Sequence, residues 1–324
     1  MNWFKAVKGF ILSLIFLSLI FFSIQGMWSF SQKENIFLGS VSEGVIEEKS
    51  KILPITAQKK PSPQRDWQVP ELNVEAETGI IAEISFFQED KILFKKNTEK
   101  ILPIASLTKL MTAVVSIENY NLSDMIVVGQ NSVSQDGSHA PLNLKDTMSV
   151  NDLLHLILIE SSNQAAFALS EGMGLSLTQN QEGSGSQKFV DLMNKKAKEI
   201  GMRKTFFKEP TGLSAENTSS AEDLVKLSKY ILKNHPEIIR ISKIIEIDLP
   251  GYGKLNNTNQ LLAENPDIVG GKTGFTIDAN GCLLLIINNL KSDDYLIYIV
   301  LGANDRFLEI KRMIDWANVA YSWQ

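Results

Sequence analysis

β-Rich runs lie on both sides of a helically patterned middle, and that order restricts the topology more than any other property of this sequence. Segments 79–87 and 91–95 are β-rich and are parted by Gln88, Glu89 and Asp90, which predicts a hairpin. Leu107, Leu110, Met111, Val114 and Val115 then recur at helical spacing, so a helix is expected from Ser106 to about Glu118. Segments 150–159, 164–171, 188–200 and 221–232 read as further helices, and the Gly/Ser/Gln-rich stretch 179–187 as a surface loop. β-Rich runs return at 244–249, 282–288 and 295–301, and a last helix is expected over 306–321. Strands from both sides can share one antiparallel sheet, with helices packed on it and a helical insertion beside it. The patterning alone therefore gives an α+β fold with a helical subdomain.

The N-terminus has a different character. Lys5 and Lys8 precede an almost unbroken apolar stretch over 10–28, with the core FILSLIFLSLIFF. Crossing a bilayer as a helix takes about 20 such residues. Basic residues on the leading side favour a cytoplasmic N-terminus, which puts the rest of the chain outside. A cleaved signal peptide is the competing reading. No small-x-small cleavage site follows, whereas Trp28 suits a membrane interface, so an uncleaved single-pass anchor over 1–29 is expected. Residues 30–72, rich in Lys, Gln, Ser, Glu and Pro, read as an extended tether, with Pro61, Pro63 and Pro70 opposing regular structure. The folded domain is expected over 73–324.

Composition excludes some functions. The net charge is −5 and Lys and Arg are scattered, so no nucleic-acid partner is expected. The single cysteine, Cys282, rules out an internal disulfide or a Cys-rich metal site. His139, His155 and His235 are too dispersed for a metal-hydrolase pattern, and no Gly-x-Ser-x-Gly elbow is present.

Three short segments could carry chemistry. In Ser106-Leu107-Thr108-Lys109, a helix would put Ser106 and Lys109 on one face. A serine hydroxyl needs a neighbouring base to become a nucleophile. Lysine can be that base only if burial or nearby positive charge lowers its pKa. Ser161-Ser162-Asn163 lies between two expected helices and could present a hydroxyl for proton relay and an amide for substrate binding. Lys272-Thr273-Gly274 sits in the glycine-rich run 270–276, where another backbone could approach closely and Lys272 and Thr273 could bind a carboxylate. Alone, each has a plain alternative: an N-cap serine, a loop, a turn before a strand.

Together and in this order the segments resemble the motif set of class A β-lactamases and penicillin-binding proteins. The resemblance is closer to the D-alanyl-D-alanine carboxypeptidases of serine peptidase family S11. It rests on ILPIASLTKLMTAVV, LILIESSNQAAFALSE, GGKTGFTIDANGCLLL and VLGANDRFLEIKRMIDWA. It implies a β-lactamase/transpeptidase-like fold, no cofactor and no metal. Ser106 then resembles the acylated nucleophile and Lys109 its general base. Ser161 and Asn163 resemble the second active-site element, and Lys272, Thr273 and Gly274 the strand that lines the cleft. Arg306 resembles an arginine that helps bind the terminal carboxylate. The family's oxyanion hole implies the backbone N–H of Ser106 and a second near Thr276. The implied substrate is a peptidoglycan stem peptide, with β-lactams as covalent inhibitors.

The sequence departs from that pattern at Ser162, where glycine is usual, at Glu209 in place of asparagine, at Asn217 in place of histidine, and at His139, a usually small position. By this resemblance the chain is expected to lack the C-terminal β-domain and amphipathic membrane helix that many relatives carry, with the N-terminal segment expected to serve as the anchor instead. Three alternatives remain open at this point. One is a β-lactamase with Glu209 as deacylating base, another a DD-endopeptidase, and the last a non-catalytic membrane-tethered peptidoglycan-binding protein.

Overall fold

The computed structural model describes residues 60–137, 141–177 and 184–324. The expected anchor, the tether up to residue 59 and His139 lie outside the described residues. Among the described residues no helix is long and apolar enough to cross a membrane.

The chain opens its main sheet with β1 (Thr78–Ile84) and β2 (Lys91–Lys96), the expected hairpin. A 3-10 turn, Ala105–Leu107, leads into α1 (Thr108–Asn119). The helical middle continues with α2 (Val150–His155), which runs into a π turn at Leu156–Glu160. It goes on through α3 (Asn163–Leu177), α4 (Ser184–Glu199), α5 (Ala221–Asn234) and α6 (Pro236–Ser242). Then β3 (Ile268–Thr276), β4 (Asn280–Asn289) and β5 (Asp294–Ala303) return to the sheet, and α7 (Arg306–Ala320) follows. The strand order is β3-β4-β5-β1-β2, antiparallel throughout. Strands from both ends of the domain thus meet at the β5–β1 seam, with Ile299 opposite Ile80.

Both faces of the sheet are covered, so β1 and β4 are buried at nearly every position. Alternation sorts the side chains. Ile80, Ala82, Leu284, Ile286 and Ile299 pack toward the helical middle. Ile81, Leu283, Leu285, Tyr298 and Val300 pack toward Ile310, Met313 and Trp316 of α7. Residues 108–116 of α1 are all buried, so this helix runs through the middle of the core. It can therefore hold a side chain in a water-poor setting.

Three local readings change. The domain begins before residue 73. Pro63–Arg65 forms a short strand with Tyr321–Trp323, and Ser62 and Gln324 exchange backbone hydrogen bonds. The Arg65 guanidinium lies 5.0 Å from the Trp316 ring and 5.8 Å from that of Tyr321, and Trp316 Nε1 donates to the Pro70 carbonyl at 2.8 Å. Proline is compatible with the start of an edge strand, and the aromatic partners lie some 250 residues away, invisible to local composition. The run at 244–249 pairs only with Gly253–Asn256, as a separate hairpin. Of the expected loop 179–187, residues 184–187 are helical in α4, and 178–183 lie outside the described residues.

Candidate active site

The turn carrying Ser106 is unusual. Ala105 has φ of 45°, a left-handed conformation that L residues avoid and that persists only when its surroundings impose it. Two glycines impose it here. A Cβ on Gly274 in β3 would lie 3.0 Å from Ser106 N and 3.1 Å from the Ile104 carbonyl oxygen. A Cβ on Gly212 would lie 2.0 Å from the Ala105 carbonyl oxygen. The turn is therefore clamped between a sheet-edge strand and a loop, and only glycine permits either approach. Ser106 itself stays partly exposed.

Lys109, one helical turn on, is fully buried. Its Nζ donates to Ser106 Oγ at 3.0 Å, to Asn163 Oδ1 at 2.6 Å and to the Thr211 carbonyl at 2.6 Å. Three acceptors match the three N–H groups of an ammonium. Burial nevertheless disfavours the charge and brings the pKa of Lys109 down to about 7, against a smaller opposing pull from Glu209. Near neutral pH a substantial fraction is thus a free amine with its lone pair available to the Ser106 proton.

Asn163 opens α3 and bridges two elements. Its Oδ1 accepts from Lys109, while its Nδ2 donates to the Asp136 carbonyl at 2.5 Å. Ser161, two residues earlier, is partly exposed and takes φ of 65°, so the chain turns sharply out of the π turn before α3 begins. Ser162, at the usual glycine position, is buried and its Oγ accepts from Ala165 N.

On β3, Lys272 is buried and its pKa falls well below the usual lysine value through desolvation and the like charges of Lys109 and Arg306. Its Nζ donates to the Thr273 carbonyl at 3.1 Å. Thr273 Oγ1 and Thr258 Oγ1 share a hydrogen bond of 2.6 Å, and Thr258 N donates to Ile159 O. Thr258 thereby ties β3 to the end of the Ser161 element. Thr276 Oγ1 accepts from Ala279 N and closes the β3–β4 turn. Arg306, at the start of α7, packs along Gly281, and its guanidinium carbon lies 4.6 Å from the Phe307 ring centre. Burial lowers its pKa, and its Nε is buried without a hydrogen-bond partner among the described residues.

Lys109 thus contacts both Ser106 and Asn163, Gly274 packs against the turn that carries Ser106, and Lys272 lies within electrostatic reach of Lys109 and Arg306. Sequence reasoning missed Thr211, Gly212 and Thr258. The Gly-Leu pair after Pro210 was the one available signal, since it marks a turn but not what the turn braces. The β-lactamase alternative had put Glu209 forward as a base. Its carboxylate is instead engaged by the N–H groups of Thr211 and Gly212 at 2.6 and 2.7 Å and by Asn217 Nδ2 at 2.5 Å.

Comparison with known proteins gives the family and the fold. The family model described as D-alanyl-D-alanine carboxypeptidase, Peptidase S11, matches residues 64–305. The chain belongs to this family. Among S11 relatives, it is 33% identical to the D-alanyl-D-alanine carboxypeptidase DacF of Bacillus subtilis over 78% of its own length and 64% of that protein's. It is 38% identical to a D-alanyl-D-alanine endopeptidase of Haemophilus influenzae over 62% of its length and 68% of that protein's. The chain thus spans about two thirds of the length of these two relatives. The fold matches penicillin-binding protein D2 of Listeria monocytogenes, solved with cefotaxime bound, with a TM-score of 0.64 and 28% identity, covering 76% of this chain and 99% of that one. This S11 member accordingly has the α+β transpeptidase-like fold of the penicillin-binding proteins and belongs to a family of serine DD-peptidases.

Proposed function

We propose that the chain is a serine-type D-Ala-D-Ala carboxypeptidase that trims peptidoglycan stem peptides outside the cytoplasm, held at the membrane by residues 1–29. The buried amine of Lys109, in contact with the Ser106 hydroxyl at 3.0 Å, carries this reading. In the reaction, Lys109 takes the Ser106 proton as Oγ bonds to the carbonyl carbon of the penultimate D-alanine. Backbone N–H groups at Ser106 and near Thr276 stabilise the oxyanion, an effect of about 3–4 kcal/mol per donor in a measured enzyme. The C–N bond then breaks, and the terminal D-alanine leaves as an amine protonated through Ser161. Water hydrolyses the Ser106 ester. Lys272, Thr273 and Arg306 bind the carboxylate next to the scissile bond. β-Lactams would acylate the same serine.

A second reading, DD-endopeptidase, is favoured by the 38% identity to the H. influenzae enzyme. Incubation with a stem pentapeptide and with a D-Ala-cross-linked dimer separates them. Release of D-alanine from the pentapeptide by wild type, lost in Ser106→Ala, is expected. Cleavage of the dimer alone would replace the first reading with the second.

A further inference from the structure

The loop that clamps the nucleophile's turn has its own organiser. Glu209 Oε2 accepts from Thr211 N at 2.6 Å, and its Oε1 accepts from Gly212 N at 2.7 Å, Ser214 N at 3.3 Å and Asn217 Nδ2 at 2.5 Å. Asn217 is fully buried and completes the knot, with its Oδ1 accepting from Lys208 N at 2.6 Å and Glu209 N at 3.2 Å. In a trans peptide unit the C=O and N–H point in opposite directions. Gathering the N–H groups of residues 211 and 212 on one carboxylate therefore turns the carbonyls of Pro210 and Thr211 the other way, toward α1. There the Pro210 carbonyl accepts from Thr112 Oγ1 at 2.6 Å and the Thr211 carbonyl accepts from Lys109 Nζ at 2.6 Å. The same loop brings Gly212 against Ala105 and Ser106 N.

We propose that Glu209 is a positioning residue for acylation: its carboxylate orients the loop that holds both Lys109 and the Ser106 turn, and it places one negative charge behind that amine. The inference rests on the reading of Ser106 as the acylated nucleophile. The two departures at 209 and 217 become a matched pair, each side chain satisfying the other. The charged groups acting around Lys109 are Glu209 from this loop and Lys272 from β3, with Arg306 of α7 beyond Lys272. Ser106, Asn163 and Thr211, which touch its amine, are uncharged. Glu209 favours the protonated amine, so removing its charge should let Lys109 act as a base at lower pH.

The test is the pH profile of β-lactam acylation for wild type, Glu209→Gln and Asn217→Ala, with folding of each variant checked by thermal unfolding. Both variants loosen the loop, so both plateau rates should fall by roughly ten- to a hundredfold. Only Glu209→Gln should move the rising limb toward acid, keeping about threefold or more of its own plateau rate near pH 6 than wild type keeps of its own. An unmoved limb in Glu209→Gln overturns the proposal. So does an acid shift of the limb in Asn217→Ala, which keeps the carboxylate, a readout against wild type that stands even if Glu209→Gln fails to fold. Absence of any acyl adduct on the wild-type enzyme would instead defeat the underlying reading of Ser106.

Discussion

Replacing Gly212 by alanine should damage acylation as well as stability, because of where the new methyl group goes. Its Cβ would lie 2.0 Å from the Ala105 carbonyl oxygen, 2.4 Å from that carbonyl carbon and 2.9 Å from Ser106 N, all of them backbone atoms. Ordinary contact begins near 3.4 Å, so the turn and the loop must separate by about 1.4 Å, the difference between 3.4 and 2.0 Å. A misplacement of about 1 Å in a catalytic group can cost on the order of a hundredfold in rate. The left-handed φ of +88° adds a backbone cost of about 1–2 kcal/mol for any residue with a Cβ. Gly201→Ala isolates that second part, since Gly201 has φ of +79° and nothing within 4 Å of a built Cβ. Stopped-flow acylation by a chromogenic β-lactam, paired with thermal unfolding, reads both variants. Gly201→Ala should lose about 1 kcal/mol and keep its rate. Gly212→Ala should lose more stability and about a hundredfold in rate. If Gly212→Ala acylates within about threefold of wild type, the loop does not hold the nucleophile and the reasoning fails.

Other consequences are as direct. With neutral Lys109 as the proposed base, the acylation rate should rise with pH through about 7 and fall below it as the amine protonates, and a rate flat across that range contradicts the assignment. Arg306→Gln should raise KM for a D-Ala-terminated peptide by about ten- to a hundredfold, the scale of one charged hydrogen bond, while leaving a C-terminally amidated peptide unaffected. Equal losses on both peptides would remove Arg306 from carboxylate recognition. Deleting residues 1–71 removes the Pro63–Arg65 ladder and the Trp316 bond to Pro70, which lie on the α7 side of the sheet. It should lower Tm by about 2–4 °C per kcal/mol lost and leave acylation rates intact.

What could be read from the sequence depended on the range of the interactions. The β1–β2 hairpin and α1 follow from local signals, β-rich runs broken at 88–90 and apolar residues recurring at helical spacing over 107–115. Ser106 and Lys109 meet because a helix places them there, which spacing alone can say. Asn163, Lys272 and Gly274 were legible only as members of a motif set, since nothing local brings residues so distant in sequence together. The glycines of β3 hid an edge strand behind a turn-like composition, and the strand exists because β4 pairs with it from Lys272–Leu284 to Gly274–Cys282. The packing of residues 60–72 escaped detection because Trp316, Tyr321 and Trp323 supply the partner surface. The loop 209–217 was visible only as two odd residues, because what binds it is backbone: N–H groups to Glu209 and carbonyls to α1. Side-chain identity does not announce such contacts.

The central claim is that Ser106 forms a covalent ester with help from Lys109. Intact-mass measurement after exposure to penicillin, followed by peptide mapping of the modified residue, tests it most directly. One adduct of the antibiotic's mass on Ser106 is expected, absent in Ser106→Ala and formed far more slowly in Lys109→Met. An unmodified wild-type protein, or an adduct that survives in Ser106→Ala, would contradict the account.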